Sequence, residues 1–581
     1  MRFGVLAETF GKMESTSKRL ELTAHLVEMF RQTLPDVVAR TVYLLQGKVR
    51  PDYEGVEPGV AEKMALKAVA KSSGVSVREV DAQYKKYGDL GAAASAVLEG
   101  KAQTTFMAEE ITVERVYDTL YRIAKLEGSR SQNMKMKYVS SLLNDATPLE
   151  ARFILKILLG TMRLGVAENT IMDALAEAYT GERSNRPFLE GAYNVSSDLG
   201  RVAETAARDG IAGIRSFRVA PFSPVRPMLA ERVRSEEEAV GAMAGGSAEY
   251  KLDGERVQIH TDGTRTEIFS RRLERITDQY PDVVEAVPVM VQANRAILEA
   301  EAVAINPDTG AFLPFQDLMH RRRKHGIEKA VSAYPVSVNF FDVLYLDGRS
   351  YLDVPYIDRR RALAAAIVPG EMGRLVPAAE VTDVASLVDF MENSINAGGE
   401  GLMLKAADSV YRAGSRGKQW VKLKREYRDS VGDSLDLVVV GAFYGRGRRT
   451  GTYGTFLLAA YDDENDVFQS VCKVGTGFKD EDLDTLHQLL RDMTIPRRDS
   501  RVDSGMEPDV WFAPEMVIEV VASEITQSPV HRAAADVVRK GTGLALRFPK
   551  FTGRVRDDKL AEDASTAQEV VALYRGQKKI S

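Results

Sequence analysis

The sequence predicts a multidomain protein in three parts: an all-α N-terminal region, a central α+β region with antiparallel sheets, and a small C-terminal β-barrel. Two changes of character along the 581 residues carry this prediction. At PFSPVRPMLA (221–230), apolar residues at helical spacing give way to alternating, β-branched runs. At RDSVGDSLD (428–436), a polar stretch opens a series of short strand-like runs divided by turn signals. The length agrees, since ordinary domains hold roughly 100–200 residues and two to four are expected here.

Residues 1–217 read as helical. In TSKRLELTAHLVEMFRQTL (16–34), Leu20, Leu22, Leu26, Val27 and Phe30 recur at helical spacing behind Ser and Thr residues able to cap. EARFILKILLGTMRLGV (150–166) and NTIMDALAEAY (169–179) repeat the pattern. Pro221, Pro224 and Pro227 then make a stiff, extended connector. In residues 218–428, ERVQIH (255–260), AILEAEAVAI (296–305), VSVNFFDVLYL (336–346) and GEGLMLK (399–405) read as strands, and DRRRALAAAI (358–367) as a helix. In residues 429–581, LDLVVVGAFYG, GTFLLAAYD, FQSVCKVG, MVIEVVASEI and LALRFPKF read as five strands. That count suits a small barrel of the oligonucleotide-binding (OB) type.

Composition narrows the class. With 44% hydrophobic and 28% charged residues, the chain can bury a core, and disorder throughout is excluded. A single cysteine, Cys472, excludes a disulfide framework and a zinc site built on several cysteines; a reducing cytosol is expected. No apolar run nears the ~20 residues of a membrane span, and MRFGVLAETF lacks a signal-peptide core. The six histidines are scattered without metal-ligand spacing, and His260 reads as an ordinary packing or surface residue. The net charge of −5 speaks, in bulk, against a nucleic-acid partner. Acidic segments such as SEEEAV (235–240) and YDDENDV (461–467) set that total, while basic residues gather elsewhere.

One string carries chemistry: EYKLDGERVQIH (249–260). A lysine between strand-like residues precedes Asp-Gly, a turn former. Alone, it reads as a surface lysine beside a hairpin. Here it is followed in order by FSRRLE (269–274), ILEAEAVAI with Glu301, FFDVLYLDG (340–348), EGLMLK (400–405) and QWVKLK (419–424).

With these motifs the sequence resembles the covalent nucleotidyltransferases, and among them the ATP-dependent DNA ligases of the archaeal and eukaryotic replicative type. The resemblance spans the chain. YLLQGKVRPDY (43–53) and MRLGVAENTIMDAL (162–175) are similar to that family's DNA-binding domain, and LRFPKFTGRVRDDK (546–559) to the last motif of its OB domain. It implies a helical DNA-binding domain (1–217), an adenylation domain (218–428) and an OB-fold domain (429–581), sealing 5′-phosphate/3′-hydroxyl nicks in replication, repair and recombination. Lys251 would be the nucleophile, taking AMP from ATP. A free lysine has a pKa near ~10.4 and attacks only unprotonated, so desolvation or nearby positive charge is required. Arg256, Arg271, Lys422, Lys424 and a bound metal could supply that charge and stabilise the phosphoryl oxygens.

Further roles follow from the motif match. Glu249 would recognise adenine, and Phe341 would stack on it, with Phe340 in the core. Glu301 would bind ribose or metal, and Glu400 a divalent cation, Mg²⁺ with Mn²⁺ as an alternative. Arg416 would contact phosphate. Arg556 and Lys559 would orient pyrophosphate when the OB domain closes.

The basic run HRRRKHG, with Arg321, Arg322, Arg323 and Lys324, reads as a DNA-backbone contact or a solvated face, and the first reading is preferred. GRGRRTGTYG, with Arg446, Arg448 and Arg449, reads as a second grip or a charged hairpin loop. AQTTFM, through Gln103 and Phe106, resembles a sliding-clamp-binding motif in which Met107 replaces the second aromatic. Nicked duplex DNA is the expected partner, of a monomeric cytoplasmic, nucleoid-associated enzyme. A capping enzyme would use GTP, and NAD-dependent ligases carry a four-cysteine zinc module that one cysteine cannot build.

Overall fold

In the computed structural model of the chain, residues 1–100, 110–128, 131–162, 164–306, 312–313, 315–321, 327–424, 434–444, 452–522, 524–547 and 549–576 are described. The N-terminal region is helical, from Phe3–Glu14 to Leu199–Ile214. Phe3, Phe10, Phe30 and Phe153 lie in one core, Phe10 meeting Phe153 edge-on at 5.3 Å. Side-chain caps start some of these helices, though not Arg19–Arg31, whose N-cap is Lys18 rather than a Ser or Thr. Thr147 and Glu150 form a reciprocal capping box, and the Asp198 side chain accepts from the Arg201 N–H.

Two expectations shift here. The helix expected over 16–34 spans Arg19–Arg31, with Leu22, Leu26, Val27 and Phe30 inside, but Leu20 is 74% exposed. Leu20 lies in the first turn, off the stripe formed by the other four. The run 150–166 ends its helix at Leu158, and Gly160 follows at φ 67.

The connector is not a free linker. The Phe222 N–H donates to His260 Nδ1 at 2.8 Å, and the Val225 N–H donates to Gln258 Oε1 at 2.8 Å. Gln258 Nε2 returns a bond to the Val225 carbonyl at 3.0 Å. Both side chains come from one strand, so the connector is stitched along it.

The central region holds two sheets, built from β1 (Leu229–Arg232), β2 (Ser247–Lys251), β3 (Glu255–Thr261), β4 (Thr266–Ser270), β5 (Ala296–Ala304), β6 (Val336–Leu346), β7 (Arg349–Ser350), β8 (Gly373–Leu375), β9 (Ala378–Glu380), β10 (Gly401–Lys405) and β11 (Arg416–Lys424). One sheet runs β1-β11-β10-β2-β9; the other runs β4-β3-β5-β6-β7, with β8 against β6. Pairing is antiparallel except for β1 with β11 and β6 with β8. Ala248, Leu402, Leu404, Val421 and Leu423 on the first sheet, and Val257, Ile259, Leu298, Ala300 and Phe340 on the second, enter separate apolar cores.

The C-terminal region is β-rich, with an eight-stranded sheet and a two-stranded one among the described residues. Ser434–Tyr444 pairs with Tyr453–Asp462, Val510–Phe512 and Val517–Val521, and Tyr453–Asp462 pairs with Val467–Val474. LALRFPKF, expected as one strand, is two. Gly543–Arg547 forms a hairpin with Glu524–Ser528, and Lys550–Val555 crosses to Val517–Val521. Pro549 stands between them and lacks the N–H a continuous ladder requires. Among the described residues no helix is long and apolar enough to cross a membrane.

Candidate active site

The site grows out of strand register. Glu249 pairs with Met403 and Lys251 with Gly401, while Lys405, Met403 and Gly401 pair with Trp420, Lys422 and Lys424. Alternate residues share a face. Glu249, Lys251, Met403, Lys405, Trp420, Lys422 and Lys424 therefore line one cavity, while their neighbours fill the apolar core. The second sheet closes the other wall, with Arg256 paired to Glu301 in register.

A bulge supplies the aromatic. Ala300 faces Phe340 and Glu299 faces Asp342, leaving Phe341 as the extra residue. Phe340 is fully buried in the core and Phe341 lines the cavity.

Lys251 Nζ donates to Glu400 Oε1, and Lys424 Nζ pairs with Glu400 Oε2 at 2.8 Å. Burial alone would raise the Glu400 carboxyl, but these two cations hold it far below the usual range. The Glu400 N–H donates to the Lys251 carbonyl at 2.8 Å. Gly401 lets the chain make this turn: its φ is 153, and a Cβ there would lie 2.1 Å from the Leu423 carbonyl oxygen. Glu301 is different. Burial pushes its carboxyl up to about 8, against the pull of Lys251 and Arg256. Arg256 donates to Glu299 at 2.8 Å and to the Met228 carbonyl at 2.8 Å, and lies 5.3 Å from the Phe341 ring centroid.

The C-terminal domain completes the cavity with Asp436, Arg556, Asp558, Lys559 and Asp563. Arg556 and Lys559 pair with Asp436, and Arg556 also with Asp558 at 2.9 Å. Burial lowers Lys559 to about 8 and lowers Lys422 well below its ordinary value, Lys559 adding to the effect on Lys422. Across the domain boundary, Arg271 meets Asp563 at 3.4 Å and Arg416 meets Glu569 at 3.6 Å.

Thus Glu249, Lys251, Arg256, Arg271, Glu301, Phe341, Glu400, Arg416, Lys422, Lys424, Arg556 and Lys559 all come together at one cavity. Arg321 does not, and its assignment to the DNA backbone is corrected. It is 1% exposed, pairs with Asp282 at 2.7 Å and lies over the Tyr280 ring at 5.2 Å. A guanidinium buried against a carboxylate and a ring is a structural anchor with no reach to phosphate. Arg322, Arg323, Lys324, Arg446, Arg448, Arg449, Gln103 and Phe106 lie outside the described residues. His260 is fully buried and hydrogen-bonded, a packing residue.

Sequence reasoning missed Tyr356, Arg360 and Lys405. All three converge on Glu249, through the Tyr356 hydroxyl, Arg360 Nη1 at 3.0 Å and Lys405 Nζ at 2.7 Å. The signal for Lys405 was its place two residues after Met403 on the strand that faces Lys251. Arg360 was concealed within the run Arg359–Arg361.

A lysine amine tied to a carboxylate, ringed by cations from two domains and walled by an aromatic, defines the class: a group-transfer enzyme for a phosphorylated aromatic ligand. The comparisons narrow it. Residues 227–424 match the family described as "ATP dependent DNA ligase domain", residues 2–176 "DNA ligase N terminus" and residues 449–559 "ATP dependent DNA ligase C terminal region". The chain is 64% identical to a DNA ligase of Cenarchaeum symbiosum, covering 100% of this chain and 99% of the relative. It is 60% identical to a DNA ligase of Nitrosopumilus maritimus, again over 100% and 99%. It is 48% identical to DNA ligase 2 of Thermofilum pendens, over 99% and 98%. The chain belongs to the ATP-dependent DNA ligases.

Proposed function

We propose that this ligase seals nicks in duplex DNA through Lys251. Its Nζ attacks the α-phosphate of ATP, forming an N–P bond as the α–β P–O bond breaks and pyrophosphate leaves. An oxygen of the nick's 5′-phosphate then attacks the same phosphorus, forming a new P–O–P linkage and returning the lysine. The 3′-hydroxyl attacks the 5′-phosphorus, loses its proton and expels AMP. The observation that carries this reading is the shared strand face of Lys251, Lys422 and Lys424, which sets the amine among cations suited to phosphoryl oxygens.

Glu301 and Glu400 would hold the metal. Mg²⁺ keeps several waters and takes one or two carboxylates beside substrate phosphates. Both carboxyls line the cavity, and the pull of Lys251 and Arg256 does not offset the burial of Glu301, which fits a divalent ion, Mg²⁺ or Mn²⁺, beside it. Such an ion would neutralise charge on the transferred phosphoryl group. Drawing Glu400 away from Lys251 would release the amine.

Phe341 would stack on adenine and Glu249 would accept from its edge. Arg271 and Arg416 would hold phosphates, and Arg556 and Lys559 would face the leaving group. Arg446, Arg448 and Arg449, with Arg322, Arg323 and Lys324, would grip the duplex backbone, and Gln103 and Phe106 would meet a sliding clamp. The enzyme would work as a monomer in the cytoplasm, at the nucleoid.

With radiolabelled ATP, the Lys251→Ala variant is expected to form no protein–AMP adduct while binding nicked DNA like wild type. A variant that still becomes labelled would falsify the assignment.

A further inference from the structure

Glu249 lines the cavity two residues before Lys251 on β2. This carboxylate is 2% exposed and is held by three donors. Tyr356 and Arg360 both reach Oε1, and Lys405 reaches Oε2. Tyr356 and Arg360 sit one turn apart on the helix Tyr356–Ala366, so they share a face. That helix is itself pinned to β6. Arg359, fully buried, donates to both Asp342 oxygens at 2.8 and 3.0 Å and to the Ser409 carbonyl at 2.8 Å. Burial and the neighbouring Glu249 raise the Tyr356 hydroxyl well above its ordinary value, so it remains a donor.

Lys405 ties this carboxylate to the aromatic wall. Its Nζ donates to the Phe341 carbonyl at 3.1 Å and lies 4.8 Å from the Phe341 ring centroid and 4.4 Å from that of Trp420. Arg360 also donates to the Val376 carbonyl at 2.5 Å, and Val376 lines the same cavity. The group that would meet the base edge and the ring that would meet its face are thus locked in one frame.

A carboxylate between two cations accepts hydrogen bonds and has none to give. Of the purines, adenine presents an amine donor at C6, while guanine and hypoxanthine present a carbonyl acceptor there. Two acceptors facing each other without water leave both unpaired, which costs more than a missing contact. We propose that Tyr356, Arg360 and Lys405 are positioning residues that fix Glu249 as a rigid acceptor, and that this frame selects nucleotides bearing a donor at purine C6. The inference rests on the placement of adenine against Glu249 and Phe341.

The test is adenylation of the full chain with ATP, inosine triphosphate and purine riboside triphosphate, which has hydrogen at C6. Wild type is expected to use ATP with kcat/KM at least about 100-fold above inosine triphosphate and about 10-fold above purine riboside triphosphate. In Arg360→Gln and Tyr356→Phe the ATP to purine riboside ratio is expected to fall several-fold, chiefly through KM for ATP, and Arg360→Lys is expected to restore part of it. A general loss of structure would lower both donors together and leave the ratio unmoved. If Glu249→Gln abolishes the ratio but the Arg360 and Tyr356 variants keep the wild-type value, the positioning role is wrong. If Glu249→Gln itself keeps the wild-type ratio, adenine lies elsewhere and the underlying placement is wrong.

Discussion

Lys251 stands at the end of β2, and the attack proposed for it would depend on its neighbours' register. Gly401, paired with it, has a positive φ and no room for a side chain. Gly401→Ala would push the β10 backbone away from the Leu423 carbonyl and carry Glu400 off Lys251. Misplacement by about 1 Å costs on the order of 100-fold in rate. Gly401→Ala is therefore expected to slow protein–AMP formation by at least ~100-fold, measured in a single-turnover assay, with little change in overall fold by circular dichroism. A variant within twofold of wild type would show that the tight backbone approach is not needed. The same scale accounts for Arg321. A basic run in sequence carries no sign of burial, and Asp282 and Tyr280 decide that this member of the run faces inward.

At the scale of elements, the connector and β3 act as one unit through His260. Burial lowers this imidazole to about 3, so it is neutral in the folded protein, and its Nδ1 accepts the Phe222 N–H. The unfolded chain protonates near the ordinary value of about 6.5. Because the folded value is depressed, the stabilisation is present above about pH 6.5 and is lost as pH falls towards 3. Linkage gives a loss of about 2 kcal/mol between pH 7 and pH 5. The denaturation midpoint is expected to fall over that range more steeply in wild type than in His260→Gln; equal slopes would assign the pH dependence to other groups. The strands around the site were legible from alternation and motif, because period-2 patterning names the face a residue occupies. The helix Tyr356–Ala366 was legible as a helix, but its contact with Glu249 joins residues more than a hundred positions apart, and periodicity contains no such information. The splitting of LALRFPKF was written in Pro549, a ladder breaker inside an otherwise continuous apolar run.

At the scale of the whole molecule, the three parts touch one another. Ser500 Oγ donates to the Gly165 carbonyl at 2.5 Å, and Arg19 donates to the Asn465 carbonyl at 3.1 Å, joining the helical domain to the C-terminal one. Arg271 and Arg416 of the central domain meet Asp563 and Glu569. These arginines would serve phosphates in the proposed reaction, so the carboxylates would have to leave before a nick took their place, which calls for rotation of the C-terminal domain. Asp563→Asn with Glu569→Gln leaves both arginines without their charged partners. This double variant is expected to show a larger radius of gyration than wild type in small-angle scattering without DNA, and a smaller further change on adding nicked duplex. An unchanged radius would mean that the closed arrangement is held by other contacts. The overall charge of −5 is compatible with this design, because the cavity gathers lysines and arginines beside carboxylates such as Glu400 and Asp436 that pair with them.

The order of motifs, the candidacy of Lys251 and the division into a helical, a mixed and a β-rich part were legible in the sequence itself. Each rests on local pattern: helical spacing, alternation, turn residues and the residue types a phosphoryl transfer requires. The tertiary structure decided which charges face each other. It buried Arg321, set Lys405, Arg360 and Tyr356 around Glu249, and brought Asp563 and Glu569 onto the arginines of another domain. Pairing of this kind depends on strand register and on contacts between distant segments, and a charge's partner and burial exist only once the chain has folded.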